Sequence, residues 1–247
     1  MKPLVELRDI SRAFGGIKAV DHVSLDLHAG EVVGLLGHNG AGKSTLIKIL
    51  AGAYKKDSGE IWINGKQAEI NSPRDARDHN IETIYQTLAL ADNLDAASNL
   101  FLGRELTSPM GFVDDAKMAA ETAKIMARLN PNFKKLKEPV SALSGGQRQR
   151  IGIARAIATE PEFILADEIV SGLDVSSQAH VLNLLEQLVR DLGLTLAFIS
   201  HDLSVIRRLC QHTIVLYQGE IVETQQTAEL FANPTHSYTR ELIDAIP

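Results

Sequence analysis

A glycine-rich segment, GHNGAGKST at residues 37–45, constrains what this chain can fold into more than any other feature. It follows the continuous apolar run EVVGLLG, which is typical of a buried strand, and leads into residues 44–50, whose apolar spacing predicts a helix. Four residues lie between Gly37 and Gly42, and Lys43 and Ser44 come next. This spacing between a strand and a helix is typical of a phosphate-binding loop in an α/β protein.

The residues of this loop have distinct expected roles. Glycines let backbone N–H groups wrap a phosphate, a lysine reaches the β- and γ-phosphate oxygens, and a serine hydroxyl contacts Mg²⁺. A chance glycine-rich turn is the alternative, and the flanking strand and helix disfavour it. The loop residues expected to bind a nucleotide are Gly37, Asn39, Gly40, Gly42, Lys43, Ser44 and Thr45.

Two acidic residues, Asp167 and Glu168, follow a second short apolar run, EFILA. Such a run predicts another buried strand, and acids at the carboxyl end of a parallel strand point into the crevice where ligands bind. We expect Asp167 to hold Mg²⁺ through its water shell. Glu168 faces the opposite way in an extended chain, and we expect it to take a proton from the water that attacks the γ-phosphate. An acidic helix cap is the alternative.

His201 and Gln86 end two further predicted strands. His201 follows the apolar run LTLAFIS and is placed to hydrogen-bond the γ-phosphate and the attacking water, although a lone histidine more often has a structural role. Gln86 follows the alternating run IETIY, and its side-chain oxygen can contact Mg²⁺ or water. Neither residue indicates a site by itself. The expected catalytic residues are Lys43, Gln86, Glu168 and His201, and the expected metal ligands are Ser44, Gln86 and Asp167.

The segment ALSGGQRQRIGIARAIA, residues 142–158, places a serine and two glycines directly before a run whose Ile and Ala recur at helical spacing. Small residues let a backbone approach a ligand closely, and a helix N-terminus presents unpaired N–H groups and the positive end of the helix dipole. The segment therefore predicts a second position for an anion. An ordinary surface helix capped by its serine is the alternative.

Composition narrows the class of protein. With 247 residues, 45% of them hydrophobic, the chain is long enough to bury the core of one large domain. The net charge of −6 argues against general nucleic-acid binding, so no nucleic-acid partner is expected. No apolar run approaches the roughly 18 residues that span a bilayer, and the charged start argues against a signal peptide, so we expect a soluble, cytosolic chain. The one cysteine, Cys210, excludes an internal disulfide and is expected to be a small buried residue.

Apolar patterns arrange these motifs along the chain. The runs VELRDI, HVSLDLHAG and GEIWING predict half-exposed strands, and residues 94–136 have helical spacing with no strand candidate. Around the two acids a strand, a helix and a strand follow one another, which predicts parallel, buried strands. The helix between the strands is expected to have one apolar face, formed by Val181, Leu184, Leu185, Leu188 and Leu192.

Taken in order, the phosphate-binding loop, Gln86, LSGGQ at residues 143–147, the two acids and His201 resemble the motifs of the ATP-binding cassette (ABC) ATPases along nearly the whole chain. The resemblance implies ATP and Mg²⁺ as cofactors, and it implies that Phe14 stacks on adenine. It also assigns LSGGQ and the following SGLD, residues 171–174, to ATP binding. The residues implied there are Ser144, Gly145, Gly146, Gln147 and Asp174.

The same resemblance implies an α/β fold of the P-loop NTPase type, the ABC ATPase fold, in which a mixed sheet core carries an antiparallel β subdomain and a helical subdomain. The chain, residues 1–247, is then a single domain. Residues 1–90 and 159–247 are expected to form the nucleotide-binding core, and residues 91–158 the helical subdomain with the LSGGQ motif.

In this family the LSGGQ helix points at the γ-phosphate held by the loop of a second copy. Because this sequence has one such loop and one LSGGQ, the resemblance implies pairing with itself or with a related cassette. It further implies an importer subunit, peripheral at the cytoplasmic face of the inner or plasma membrane. Its implied partners are membrane permease subunits and a periplasmic or extracellular substrate-binding protein.

Two subfamilies contribute to the resemblance. Up to about Gln147 the sequence is similar to sugar-importer ATPases, and beyond it to those of dipeptide and oligopeptide importers. The family's coupling surface is built from the first part, so a sugar is the favoured substrate and a peptide is the alternative. A soluble ABC ATPase of translation or DNA repair is a further alternative. Ile169 stands where the family usually has proline, and we expect it to loosen the following turn without removing a catalytic group.

Overall fold

The computed structural model describes residues 2–245, which form ten strands and nine α-helices. The strands are β1 (Val5–Phe14), β2 (Ile17–Leu27), β3 (Val32–Leu36), β4 (Ser58–Ile63), β5 (Lys66–Ala68), β6 (Ile81–Ile84), β7 (Phe163–Asp167), β8 (Thr195–Ile199), β9 (His212–Tyr217) and β10 (Glu220–Gln226). The helices are α1 (Lys43–Leu50), α2 (Pro73–Asp78), α3 (Ala96–Leu100), α4 (Asp115–Leu129), α5 (Gly145–Ile157), α6 (Val175–Leu192), α7 (Leu203–Leu209), α8 (Thr227–Ala232) and α9 (Ser237–Asp244).

A six-stranded mixed sheet with the order β10-β9-β3-β8-β7-β6 forms the centre of the fold. Neighbours from β9 to β6 are parallel, and β10 is antiparallel to β9. Every residue of β3, β7 and β8 is buried, as their continuous apolar runs predict. Asp167 pairs with Ile199, so β7 and β8 end at the same level. The residues that follow these two strands therefore meet at one edge of the sheet.

A second sheet, antiparallel and four-stranded, has the order β2-β1-β4-β5 and confirms the half-exposed strands predicted near the start of the chain. Helix α1 lies between the two sheets, where its Leu46, Ile47 and Ile49 join a core shared with Phe163 of β7 and Ile61 of β4. Each such buried side chain contributes roughly 1.5–3 kcal/mol of hydrophobic stabilisation. The helix that follows the phosphate-binding loop is thus fixed on both sides.

Helices cover the opposite face of the six-stranded sheet. The core there joins residues of α3 to α7 with Phe198 of β8. No residue between 94 and 136 belongs to either sheet, in agreement with the helical spacing of that segment, and a single isolated bridge joins Thr107 to Val113. Cys210 is buried against Gly34 of β3, as expected for a small apolar residue. None of the helices between residues 2 and 245 is long and apolar enough to cross a membrane.

The apolar face predicted for α6 is correct for four of its five residues. Val181, Leu184, Leu185 and Leu188 are buried, whereas Leu192 is 37% exposed. Leu192 is the last residue of the helix, and Gly193, with φ of 63°, ends the helix immediately after it. The periodic pattern therefore extends one turn beyond the part of the helix that reaches the core.

A buried carboxylate, Glu223 of β10, anchors the C-terminal segment. It accepts hydrogen bonds from the Thr235 N–H (2.7 Å), the Thr235 hydroxyl (2.8 Å) and the His236 N–H (3.1 Å). Burial works to raise the pKa of Glu223, but the hydrogen bonds to its ionised form outweigh burial and lower the pKa from 4.5 to about 2. The ionised carboxylate thus holds the segment that leads into α9.

We expect Glu223→Gln to destabilise the fold by about 1–2 kcal/mol at neutral pH, because the hydrogen bonds then go to a neutral acceptor. The folded pKa lies below the unfolded one, so the extra stability of the parent is complete above about pH 4.5 and is lost as the pH falls toward about 2. Chemical denaturation of both proteins between pH 7 and pH 3 checks this. Glu220→Gln, at the exposed start of the same strand, is the control, and a pH-independent gap for Glu223→Gln would contradict the prediction.

Candidate active site

The phosphate-binding loop lies between the end of β3 and the start of α1. At two of its glycines a larger residue would clash with neighbouring backbone. Gly37 has φ of 145°, and a Cβ there would lie 2.4 Å from the Leu216 carbonyl oxygen. Gly42 has φ of 105°, and a Cβ there would lie 2.3 Å from the Ala19 carbonyl oxygen. Gly42 is also the N-cap of α1 and offers no side-chain cap, so the first N–H groups of the helix face the loop. This is the geometry of an anion-binding helix start.

Lys43 is buried beneath the loop, with 6% of the residue exposed. Its Nζ donates hydrogen bonds to the Gly37 carbonyl (2.5 Å) and the His38 carbonyl (2.9 Å). Burial lowers the pKa of Lys43, and the negative charges of Glu168 and Asp167 oppose this shift. A desolvated ammonium beside a ring of N–H groups can bind phosphate oxygens.

Asp167 is the last residue of β7 and is 8% exposed. The Ser44 hydroxyl, from the first turn of α1, donates to its Oδ1 at 3.4 Å. Burial raises the pKa of Asp167, the hydrogen bond from Ser44 opposes this, and the nearby charge of Glu168 adds to it. A buried carboxylate next to a hydroxyl is a donor set that a hard divalent cation fits. Residues 2–245 contain no group of three or more His, Cys, Asp or Glu side chains arranged to hold a metal ion.

Glu168 turns away from the strand direction, with φ of 51°. Its N–H donates to the Ile199 carbonyl (3.0 Å), and its carbonyl accepts from the Ser171 N–H (3.0 Å). The following Ile169 is 2% exposed, so packing adds to these hydrogen bonds in holding the turn. The Glu168 Oε2 lies 3.6 Å from the His201 Nδ1, and the His201 side chain is 63% exposed.

A cavity of about 380 Å³ opens in front of the loop. It is lined by residues 39–45 of the loop, by Phe14, Ile17 and Ala19 of the antiparallel sheet, and by Glu168. Phe14 is 42% exposed, and its ring packs edge-on against Tyr54 with 5.2 Å between centroids. The cavity thus has a polar phosphate end and an apolar end. Glu168 also lines a second, smaller cavity that His201 shares.

The LSGGQ segment forms the start of α5, away from this cavity. Ser144 and Gly145 are exposed, and no residue from 144 to 147 lines either cavity. The Ser144 Oγ accepts from the Gln147 N–H (3.4 Å), and the Gln147 Oε1 accepts from the Ser144 N–H (3.0 Å). This capping box satisfies part of the helix start with its own side chains.

Asp174 and Gln86 also lie outside the cavity. Asp174 caps α6 by accepting from the Ser177 N–H (2.9 Å). Gln86 is exposed two residues beyond the end of β6. Because β6 is parallel to β7, Gln86 lies at the same edge of the sheet as Asp167. The structure therefore brings together Phe14, the loop, Asp167, Glu168 and His201, and leaves Ser144, Gly145, Gly146, Gln147, Asp174 and Gln86 outside this group.

One contact with the loop has no counterpart in the sequence patterns. The His38 N–H donates to the Tyr238 Oη at 2.7 Å, between residues 200 positions apart in the chain. Tyr238 belongs to a short C-terminal helix that carries no motif. Neither spacing nor periodicity signals such a contact, because it exists only after the C-terminal segment has folded back onto the loop.

A nucleotide-binding loop beside two carboxylates at the end of a parallel strand defines a P-loop nucleoside triphosphatase. A family model described as ABC transporter matches residues 20–171. The chain is 42% identical over 222 residues to the xylose/arabinose import ATP-binding protein XylG of Sulfolobus acidocaldarius, covering 90% of this chain and 88% of that one. It is 38% identical over 253 residues to a protein named as a peptide import ATP-binding protein in Brucella ovis, covering 99% of this chain and 79% of that one.

Solved structures agree with these relatives. An ATP-binding cassette of an ABC transporter in its ADP conformation superimposes with a TM-score of 0.85 at 25% identity, covering 99% of this chain and 100% of that one. A dimeric post-hydrolysis state of another cassette, bound to ADP and Pi, gives a TM-score of 0.76 at 26% identity, covering 90% of this chain and 98% of that one. The chain belongs to the ABC transporter family, as an ATP-binding cassette with ATPase function. The resemblance inferred from its motifs and the expected fold are confirmed.

We expect Gly42→Ala to abolish measurable nucleotide binding, because the added Cβ meets the Ala19 carbonyl and must displace the loop. Gly65→Ala is the matched control, since Gly65 also has a positive φ (74°) but has nothing within 4 Å of its Cβ position. Strain alone costs about 1 kcal/mol, so Gly65→Ala should lose a little stability and keep its affinity. Isothermal titration with ATP checks both variants, and parent-like affinity of Gly42→Ala would refute the steric argument.

Proposed function

We propose that this chain hydrolyses ATP to drive import of a sugar, as one of two ATP-binding subunits on a membrane permease. One observation carries the pairing of two ATP-binding subunits. The phosphate-binding loop, Lys43 and Glu168 surround one cavity, whereas the start of the LSGGQ helix is exposed outside it. A site that needs both parts is then completed only by a second chain.

The residues of the cavity suit phosphoryl transfer to water. The loop N–H groups and Lys43 bind the β- and γ-phosphates and stabilise the charge that develops there. Glu168 accepts a proton from the attacking water while the water oxygen bonds to the γ-phosphorus and the bond to the bridging oxygen breaks, which releases ADP and phosphate. His201, next to Glu168, orients the water and the γ-phosphate.

Asp167 and Ser44 are the residues that fit Mg²⁺, because Ser44 lines the phosphate end of the cavity and the buried carboxylate of Asp167 accepts from its hydroxyl. Mg²⁺, when bound, supplies positive charge at the phosphate oxygens. Gln86 would join them from the end of β6. At the other end of the cavity, the exposed ring of Phe14 offers a surface on which adenine stacks.

Pairing gives the ATPase its mechanical output. We infer that Ser144, Gly145, Gly146, Gln147 and Asp174 of one chain complete the ATP site of the other, with an identical or a related cassette as the partner. ATP binds the closed pair better than the open one, so binding closes the pair and hydrolysis reopens it. A relative with a solved dimeric state bound to ADP and Pi supports this arrangement.

A separate cavity of about 330 Å³ supports docking to a permease. It lies between the core sheet and residues 102–104, and Tyr85 and Arg155 line it. The Arg104 Nη1 donates to Glu82 at 3.0 Å, which ties the segment after α3 to β6. A cytosolic helix of the permease would fit this cavity next to Gln86, so closure of the pair would move it. We infer that the chain works at the cytoplasmic face of the inner or plasma membrane, with a periplasmic or extracellular binding protein as a further partner.

Sugar is the favoured substrate because the docking cavity is built mostly from the part of the chain that is similar to sugar importers. The relative XylG is named for xylose and arabinose import. A peptide is the alternative, supported by the similarity of the C-terminal part and by the Brucella ovis relative.

Glu168→Gln tests the catalytic base and the ATP-dependent pairing. We expect it to lower phosphate release by at least about 100-fold, since a general base contributes typically that much, and to trap an ATP-bound dimer visible by light scattering. Glu162→Gln is the control, because Glu162 lies at the opposite end of β7, where it accepts from Asn64 and Asn80. Parent-rate hydrolysis by Glu168→Gln would remove Glu168 as the base, and absence of a dimer at saturating ATP would remove self-pairing.

Leu102→Glu tests the docking cavity and the substrate. Leu102 is 49% exposed at its rim, and an added charge there should abolish stimulation of ATP turnover by a permease reconstituted with this chain in vesicles. Leu192→Glu, at the 37% exposed end of α6, is the control and should keep the stimulation. The sugar proposal requires that the binding protein stimulates turnover when loaded with a sugar; stimulation by peptides alone would replace it with the alternative.

A further inference from the structure

The C-terminal segment reaches back to the phosphate-binding loop. Tyr238, in α9, is 9% exposed, and its Oη accepts a hydrogen bond of 2.7 Å from the His38 N–H. Residues 39–45 of the loop line the cavity in front of it, and His38 does not. The His38 N–H is therefore free to serve a structural contact without competing with a nucleotide.

The two ends of a single peptide unit are fixed by different parts of the protein. The His38 N–H and the Gly37 carbonyl belong to the same planar unit. The carbonyl accepts from the Lys43 Nζ at 2.5 Å, while the N–H donates to Tyr238. A rotation of this unit would break both bonds, so the hydroxyl of Tyr238 fixes the carbonyl on which the Lys43 ammonium rests.

The loop needs such a constraint at this point. Gly37 has φ of 145°, which only glycine adopts readily, and glycine is also the residue with the most backbone freedom. The local sequence therefore permits the conformation without enforcing it. The hydrogen bond between the His38 N–H and Tyr238, which comes from outside the loop, restricts the conformation that the glycine leaves free.

The position of the Tyr238 hydroxyl is itself well defined. Glu223 holds Thr235 and His236 through three hydrogen bonds, and the His236 Nδ1 accepts from the Tyr238 N–H at 3.2 Å. The Tyr217 ring packs against the Tyr238 ring with 4.3 Å between centroids. Hydrogen bonds and ring packing thus connect β10 to the loop through this segment.

We propose that Tyr238 is a positioning residue for the ATP site: its hydroxyl orients the Gly37–His38 peptide, and through it Lys43, so that the C-terminal segment sets the affinity for ATP. The proposal rests on the ATP site described above. It assigns to the C-terminal segment a part in nucleotide binding, in addition to its part in the fold.

Tyr238→Phe removes only the hydroxyl. We expect the Kd for a non-hydrolysable ATP analogue, and the KM for ATP, to rise about three- to tenfold, the effect of losing one hydrogen bond that orders the free loop. The kcat at saturating ATP should change less than about threefold, because bound phosphates restore the loop. Both proteins are compared at a temperature where circular dichroism shows them fully folded, so a purely structural loss of stability leaves the apparent Kd unchanged. Faster hydrogen exchange of the His38 amide provides a direct readout.

Tyr217→Phe is the matched control, because it removes a hydroxyl from the packed neighbouring ring, and that hydroxyl accepts from Gln218 and not from the loop. It should bind the analogue like the parent. Unchanged Kd and unchanged His38 exchange in Tyr238→Phe would overturn the proposal, as would an equal loss in Tyr217→Phe, which would indicate ring packing. If the parent chain itself did not bind the analogue, the proposed ATP site would be refuted, and the role of Tyr238 would be refuted with it.

Discussion

Two close backbone approaches determine the shape of the phosphate-binding loop. At Gly37 the loop touches the Leu216 carbonyl of the six-stranded sheet, and at Gly42 it touches the Ala19 carbonyl of the antiparallel sheet. The loop therefore runs close against both sheets, one at each end. Any shift of one sheet against the other would reach the loop directly, so the packing of α1 between them preserves the site as much as it preserves the core.

The electrostatics of the site follow from the same burial. Burial lowers the pKa of Lys43 and raises the pKa of Asp167, so each charged form is disfavoured where it stands. The negative charges of Asp167 and Glu168 oppose the effect of burial on Lys43 only in part. A cavity that holds desolvated charges of both signs gains most from a ligand that also carries both, such as a polyphosphate with a divalent cation.

Sequence patterns predicted the parts of the structure that depend on neighbouring residues. The strand, glycine loop and helix around Gly37 are local, and Glu168 and His201 meet because the adjacent parallel strands before them end at one edge. Leu192 was predicted to be buried and is exposed, because the apolar periodicity does not indicate where a helix leaves the core. The contact between His38 and Tyr238 was out of reach, since it depends on how the last helix folds back across the sheet. The roles of the exposed Ser144 and Asp174 also lie beyond the single chain, and they remain predictions.

The separation of the loop from the LSGGQ helix within one chain has a genetic consequence if the chain pairs with itself. Each composite site draws its loop from one chain and its LSGGQ helix from the other. Two copies with a defective loop contain no intact site. A chain with a defective loop paired with one whose LSGGQ is defective still contains one, because the two intact halves face each other. Different lesions in this gene would then complement one another, whereas identical lesions would not.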